Sequence, residues 1–212
     1  LQSFINAVGT EGTLIFPLFN FDFTSGVTFD INKTPSQMGS ITELARLKAG
    51  EVRSGHPVYS FCAFGKYADQ ISKINNRSAY AKDSPFGFLH KVKGKISILD
   101  LEDQDSMTFY HYIEEASQVK YRFMKNFSGQ YIDKSGKETK QTYSIYVRDL
   151  NKKILTDVNP AGEEMWKEGI YKGFPPGINS GLRTAYAEEI FNFIKEKIDL
   201  GKAEGLLYSY SK

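Results

Sequence analysis

Residues 93–117 read KGKISILDLEDQDSMTFYHYIEEAS. Ile96, Ile98 and Leu99 follow a glycine turn and precede a group of acids, so the first part is expected as a strand. Asp105 and Ser106 offer N-caps to a helix running through Ser117. A strand leading into a helix sets the theme, and the rest of the chain repeats it.

Upstream, LQSFINAVG, closed by Gly9, reads as a helix end, so an earlier segment is expected before Leu1. TLIFPLFNF (13–21) reads as a buried strand ending near Asn20, with Pro17 limiting its ladder pairing. DFTSGVTFDINKTP is rich in turn formers and reads as an irregular surface excursion. Ser40, Ile41, Thr42 and Glu43 form a capping-box pattern before a short helix that Gly50 ends, with Ser36 as an alternative start. VRSGHPVYSFCAFG gives a Gly-His-Pro turn and an extended apolar segment. KDSPFGFLH reads as a short helix with Pro85 at its first position, capped by Asp83 or Ser84.

Downstream, GQYIDKSGKETKQTYSIYVRDL alternates like a hairpin about Lys134-Ser135-Gly136-Lys137. Ser180 is expected to cap a helix carrying Leu182, Tyr186, Ile190, Phe193, Ile194 and Ile198 on one face. Alternating strands and helices imply an α/β or mixed α+β domain. At 212 residues the chain is long enough for one large core.

Composition narrows the function. With 41% hydrophobic and 25% charged residues the chain should fold. A formal charge of +2 with interspersed signs supplies no field for nucleic acid or an anionic membrane. No apolar run approaches the roughly 20 residues of a membrane span. Cys62 is the single cysteine, which excludes an intrachain disulfide framework and a multi-thiolate metal site, so a reducing cytoplasm fits best. Cys62 itself reads as a small buried hydrophobe.

Chemistry concentrates in the opening stretch. His111 is one of three histidines, and Glu114 and Glu115 share its helix face. A carboxylate there can orient the imidazole for proton transfer near neutral pH. The alternatives are a solvated acid pair beside a packed histidine, or a metal site in which His111 and Glu115 each give one ligand. A catalytic zinc would need about three protein ligands, and His56 and His90 lie in separate segments. No nucleophile turn of the GxSxG type appears.

Taken together, TLIFPLFNFDF, TPSQMGSITELAR, VRSGHPVYSFCAFG, DSPFGFL, DSMTFYHYIEEAS and the YSIYVRDL hairpin resemble the aminoglycoside 3-N-acetyltransferase family. They occur in family order and cover nearly the whole chain. The resemblance implies a three-layer α/β/α sandwich with a mixed central sheet. It implies a single domain over 1–212 that lacks the family's first strand-helix unit. The implied activity is acetyl transfer from acetyl-CoA, without metal, to an amino group of an amino sugar or aminoglycoside.

The resemblance also implies residue roles. His111 falls on the general base, Glu114 on its orienting partner with Glu115 as second choice, and Thr108 on a position near the thioester. Asp83, Ser84 and Pro85 fall near the cofactor, and Asp22 in the substrate-side loop. His56 falls in a strong family motif that counts it among the substrate-side residues, although its Gly-His-Pro setting is equally explained by turn structure; Arg53 shares the ambiguity. His90 has no counterpart and is expected at the surface. The hairpin and FYHYIEE look more like members associated with surface-polysaccharide sugars than like resistance enzymes. The absence of an acidic surplus favours a less cationic acceptor than a polycationic antibiotic. A homodimer is one assembly open to such a chain. A non-catalytic sugar- or CoA-binding module and a metal-dependent hydrolase are the rival functions.

Overall fold

The computed structural model describes residues 1–50 and 52–211. In chain order the first elements are α1 (Gln2–Val8), β1 (Thr13–Pro17), β2 (Phe29–Asp30), α2 (Ser40–Ala49), β3 (Phe61–Gly65), α3 (Ala68–Ser72), α4 (Pro85–Lys91), β4 (Lys95–Leu99) and α5 (Phe109–Ala116). Then follow β5 (Arg122–Ile132), β6 (Glu138–Arg148), β7 (Ile154–Thr156), α6 (Asn159–Lys167), β8 (Lys172–Gly173), β9 (Leu182–Tyr186), α7 (Ala187–Asp199) and β10 (Tyr208–Tyr210). The result is a mixed α/β fold. Among the described residues no helix is long and apolar enough to cross a membrane.

Contacts cluster in two compact units. The first comprises Leu1–Ala79, Asp83–Pro85 and Lys125–Ile145. In it β1 pairs antiparallel with β3, from Thr13 opposite Gly65 to Pro17 opposite Phe61. The strand is shorter than expected because Pro17 has no N–H to extend the ladder. The chain nevertheless stays tied to its neighbour, since the amides of Leu18 and Asn20 donate to the carbonyls of Ser60 and Val58. Gly65 closes the turn at φ +94, and a Cβ there would lie 2.2 Å from the Gly12 carbonyl oxygen, so only glycine fits. Leu18, Ala45 and Cys62 form a small buried cluster under Phe16 and Phe64.

A mixed sheet in this unit orders β2, β5 and β6. β2 runs parallel to β5, Phe29 facing Tyr131. β5 and β6 fold back on each other, with side-chain bonds joining Ser128 to Thr142 and Asn126 to Ser144. The turn between them is held by Asp133, whose carboxylate accepts from the amides of Ser135 and Lys137. This is the hairpin expected from alternation. The expected capping box at Ser40 is not formed: Gly39 occupies the cap, and Glu43 instead accepts from the amide of Ser36 and pairs with Arg46 at 2.6 Å.

The second unit comprises Tyr80–Lys82, Phe86–Met124 and Tyr146–Lys212. Its three-stranded sheet orders β4, β9 and β8, all antiparallel neighbours. α7 follows β9 and buries Ile190, Phe193 and Ile194, the i, i+3, i+4 pattern of an amphipathic helix, and α5 packs against it. The helix expected from Ser180 therefore starts late. Leu182–Tyr186 is a strand, because Arg183 and Ala185 alternate inward against β4, and Ser180 bonds only its own turn at the Gly177 carbonyl. α5 likewise starts at Phe109, since Ser106 donates to the Glu102 carbonyl instead of capping and Asp103–Asp105 forms its own tight turn.

Candidate acyl-transfer site

α5 is short and mostly buried: Phe109, Tyr110, Tyr112, Ile113 and Glu114 all face protein. A carboxylate in that company requires compensation, because an unpaired buried charge is costly. Glu114 is 1% exposed, and its Oε2 lies 2.7 Å from His111 Nδ1 and 2.7 Å from Arg122 Nε. Arg122 stands at the start of β5, one residue after the buried Tyr121. Its two terminal nitrogens lie 3.4 Å from the Tyr146 carbonyl and the Thr156 hydroxyl.

These neighbours set the protonation states. Burial alone would raise the Glu114 pKa, but the Arg122 guanidinium and the His111 bond outweigh it and hold the carboxyl below its usual range. Burial and then the Arg122 charge lower the His111 pKa, against the opposing pull of Glu114. A neutral imidazole beside an ionised carboxylate donates from Nδ1–H to Glu114, which leaves the lone pair on Nε2. Glu114 engages Nδ1, and the His111 side chain remains 19% exposed. The Tyr80 ring packs edge-on against the imidazole, with the two ring centres 5.3 Å apart.

Behind α5 lies a second buried polar cluster. Asp103 Oδ2 accepts from the hydroxyls of Tyr110 and Tyr171, and Oδ1 accepts from Arg183. Tyr110 is the residue before His111, so this cluster anchors the helix that carries His111. Gly162 packs against it so closely that a Cβ would lie 2.5 Å from the Asp103 carboxyl carbon.

The other residues singled out from sequence divide between the units. Thr108, Glu115, Glu114 and His111 lie in the second unit, with Thr108 half-buried and its carbonyl accepting from the His111 amide. Asp83, Ser84 and Pro85 lie in the first, where Asp83 is exposed and Ser84 fully buried at the start of α4. Asp22, also in the first, is exposed and lines a cavity of about 300 Å³ together with Asn20, Thr28 and Asp30. Its carboxylate accepts from Gln37.

His56 is fully buried, and its Nδ1 accepts from the amides of Val58 and Tyr59, the bonds of a turn residue. Arg53 is equally buried, bonded to Ser60 and to the carbonyls of Leu18, Ile31 and Thr34. Burial lowers its pKa to about 10. His90 is not the surface residue expected: it stacks on Phe191 at 4.2 Å and bonds Tyr112. Among the described residues no group of three or more His, Cys, Asp or Glu could hold a metal ion.

Arg122, Asp103 and Arg183 were not singled out from sequence. A charged residue flanked by aromatics, as in YRF at 121–123, is the one local signal that Arg122 offered.

A family model for aminoglycoside 3-N-acetyltransferases matches residues 1–196. The SPbeta prophage-derived aminoglycoside N(3')-acetyltransferase-like protein YokD of Bacillus subtilis (strain 168) is 28% identical over 137 residues, 54% of this chain. That match spans about half the length of the curated relative. The crystal structure of YokD superposes with a TM-score of 0.72 at 21% identity, covering 93% of this chain and 82% of that one. The structure of AAC-IIIb in binary complex with CoASH gives 0.74 at 18% identity, covering 91% and 79%. AAC-VIa bound to sisomicin gives 0.74 at 22% identity, covering 94% and 83%. These likenesses establish a common α/β fold.

Proposed function

Since this chain belongs to the aminoglycoside 3-N-acetyltransferase family, we propose that it transfers acetyl from acetyl-CoA to an amino group of an aminoglycoside or related amino sugar. The observation that carries this reading is the His111 ring, held at Nδ1 by the buried Glu114 while the side chain stays partly exposed. An amine attacks a carbonyl only as the free base, so a neutral imidazole beside it has a defined task. His111 Nε2 takes the proton from the attacking nitrogen, and the imidazolium so formed is stabilised by Glu114. Acetyl-CoA, when bound, supplies the thioester carbonyl; the N–C bond forms, the C–S bond breaks, and the proton passes through His111 to the leaving sulfur.

The remaining assignments follow the family pattern. Thr108 lies one turn before His111, where its hydroxyl is suited to the developing oxyanion. Asp83, Ser84 and Pro85 are assigned to the acyl donor. Asp22 and Glu115 are assigned to the acceptor's ammonium groups, and His56 to shaping the acceptor side by holding its turn. We take the chain as one acetyltransferase domain working in the cytoplasm, where acetyl-CoA is available.

The test is acetyl transfer to a panel of aminoglycosides, free amino sugars and nucleotide-linked amino sugars, with His111→Ala alongside. Turnover on at least one acceptor is expected, falling about 10²- to 10⁴-fold in the variant. Undiminished turnover would remove His111 from the mechanism. Failure to bind CoA in calorimetry would favour a non-catalytic sugar-binding module instead.

A further inference from the structure

We propose, resting on the reading of His111 as base, that Arg122 is a positioning residue: by sharing the Glu114 carboxylate with His111 it keeps the imidazole neutral and correctly oriented. The geometry is specific. Both groups reach the same oxygen, Oε2, each at 2.7 Å. Arg122 is itself 6% exposed and braced by the Tyr146 carbonyl and the Thr156 hydroxyl, so the guanidinium does not swing away.

Counting charge gives the physical reason. A buried carboxylate facing a histidine alone favours the imidazolium, because an ion pair is better than an isolated buried anion. An imidazolium cannot accept the proton of an amine. With Arg122 present, carboxylate and guanidinium already balance, and protonating the ring would leave one net positive charge in a dry site. Arg122 therefore spares Glu114 to orient the ring without converting it to its acid form.

The other groups nearby do not take this part. Tyr80 presents a ring edge to His111. Burial raises the phenols of Tyr121 and Tyr146, which lie close enough to Glu114 to be raised further by its charge, so both stay neutral. Glu115, next on the helix, adds negative charge at Tyr146. Arg122 is the cation acting on the ring.

The experiment is an NMR titration of imidazole ¹⁵N in the intact chain, whose three histidines keep assignment simple, with Arg122→Gln and Arg122→Lys compared with the wild type. In the wild type His111 is expected as the Nδ1–H tautomer, titrating below the ordinary 6.5. In Arg122→Gln the midpoint should rise by about one unit, while Arg122→Lys stays near the wild type. An unchanged or lower midpoint in Arg122→Gln overturns the proposal. Should that variant fail to fold, the wild-type spectrum decides, since an Nε2–H tautomer or a midpoint above 6.5 overturns it equally. Loss of turnover in His111→Ala is a separate readout. If the midpoint shifts as expected but that variant stays active, the base reading fails and the Arg122 relationship stands.

Discussion

Asp103 and Arg183 meet at 2.6 Å with both side chains fully buried. Tyr110 and Tyr171 complete the carboxylate's shell, and the Arg183 guanidinium lies over the Tyr171 ring at 5.2 Å. Removing one member leaves a buried charge without its counter-ion, which costs about 3–5 kcal/mol. Asp103→Ala should lose that much in urea denaturation. Asp103→Leu combined with Arg183→Met should lose clearly less than the two single changes summed, because the pair removes both charges together. Strict additivity would show that the two side chains are not energetically coupled.

Glu114 and Glu115 are indistinguishable from spacing, and the structure separates them by burial. Glu114→Gln keeps the side chain's size but strips Arg122 of its counter-charge and His111 of its ionised partner. A stability loss of about 3 kcal/mol is expected, with kcat falling at least about tenfold. Glu115 is only half-buried, so Glu115→Gln should move stability by less than about 1 kcal/mol. Equal effects of the two changes on kcat would mean that the imidazole is not oriented through Glu114.

What the sequence made legible were features written locally. Glycines and prolines placed the ends of α1 and α2 and the start of α4, and alternation placed the hairpin. Where two periodicities overlapped, as at Leu182 and Tyr186, the longer helical pattern was favoured over a strand that only pairing with β4 reveals. β2, β8 and β10 are two or three residues long, too short to carry a period. The site was half legible. His111 and Glu114 share one helical face, but Arg183 and Asp103 are 80 residues apart in the chain. A buried arginine looks in sequence like any solvated one until its partner arrives from elsewhere.

Cys62 is fully buried beside Leu18 and Ala45, and burial pushes its thiol up to about 12. The thiolate is the reactive form, so a folded chain at pH 8 should resist an aromatic disulfide reagent. One equivalent should react promptly in denaturant. Rapid labelling of the native protein would show that this part of the core opens readily.

His56 supplies the pH dependence of stability with the clearest sign. Burial pushes its imidazole from an ordinary 6.5 down to about 3, against the Ser144 backbone carbonyl, which favours the charged form. Between those values the unfolded chain binds a proton that the folded chain refuses. Stability should therefore fall as pH drops below about 6.5, by up to about 1.4 kcal/mol per pH unit from this group. Glu114, whose folded pKa is lowered, works in the same direction at lower pH. The His56 share is isolated with His56→Gln, which can still accept from the Val58 and Tyr59 amides. That variant should be less stable at pH 8 by about 1–3 kcal/mol, yet lose less on acidification from pH 6.5 to 4.5. Urea midpoints across that range check it. Identical slopes for variant and wild type would mean that His56 is protonated in the folded protein, and that its turn survives on other bonds.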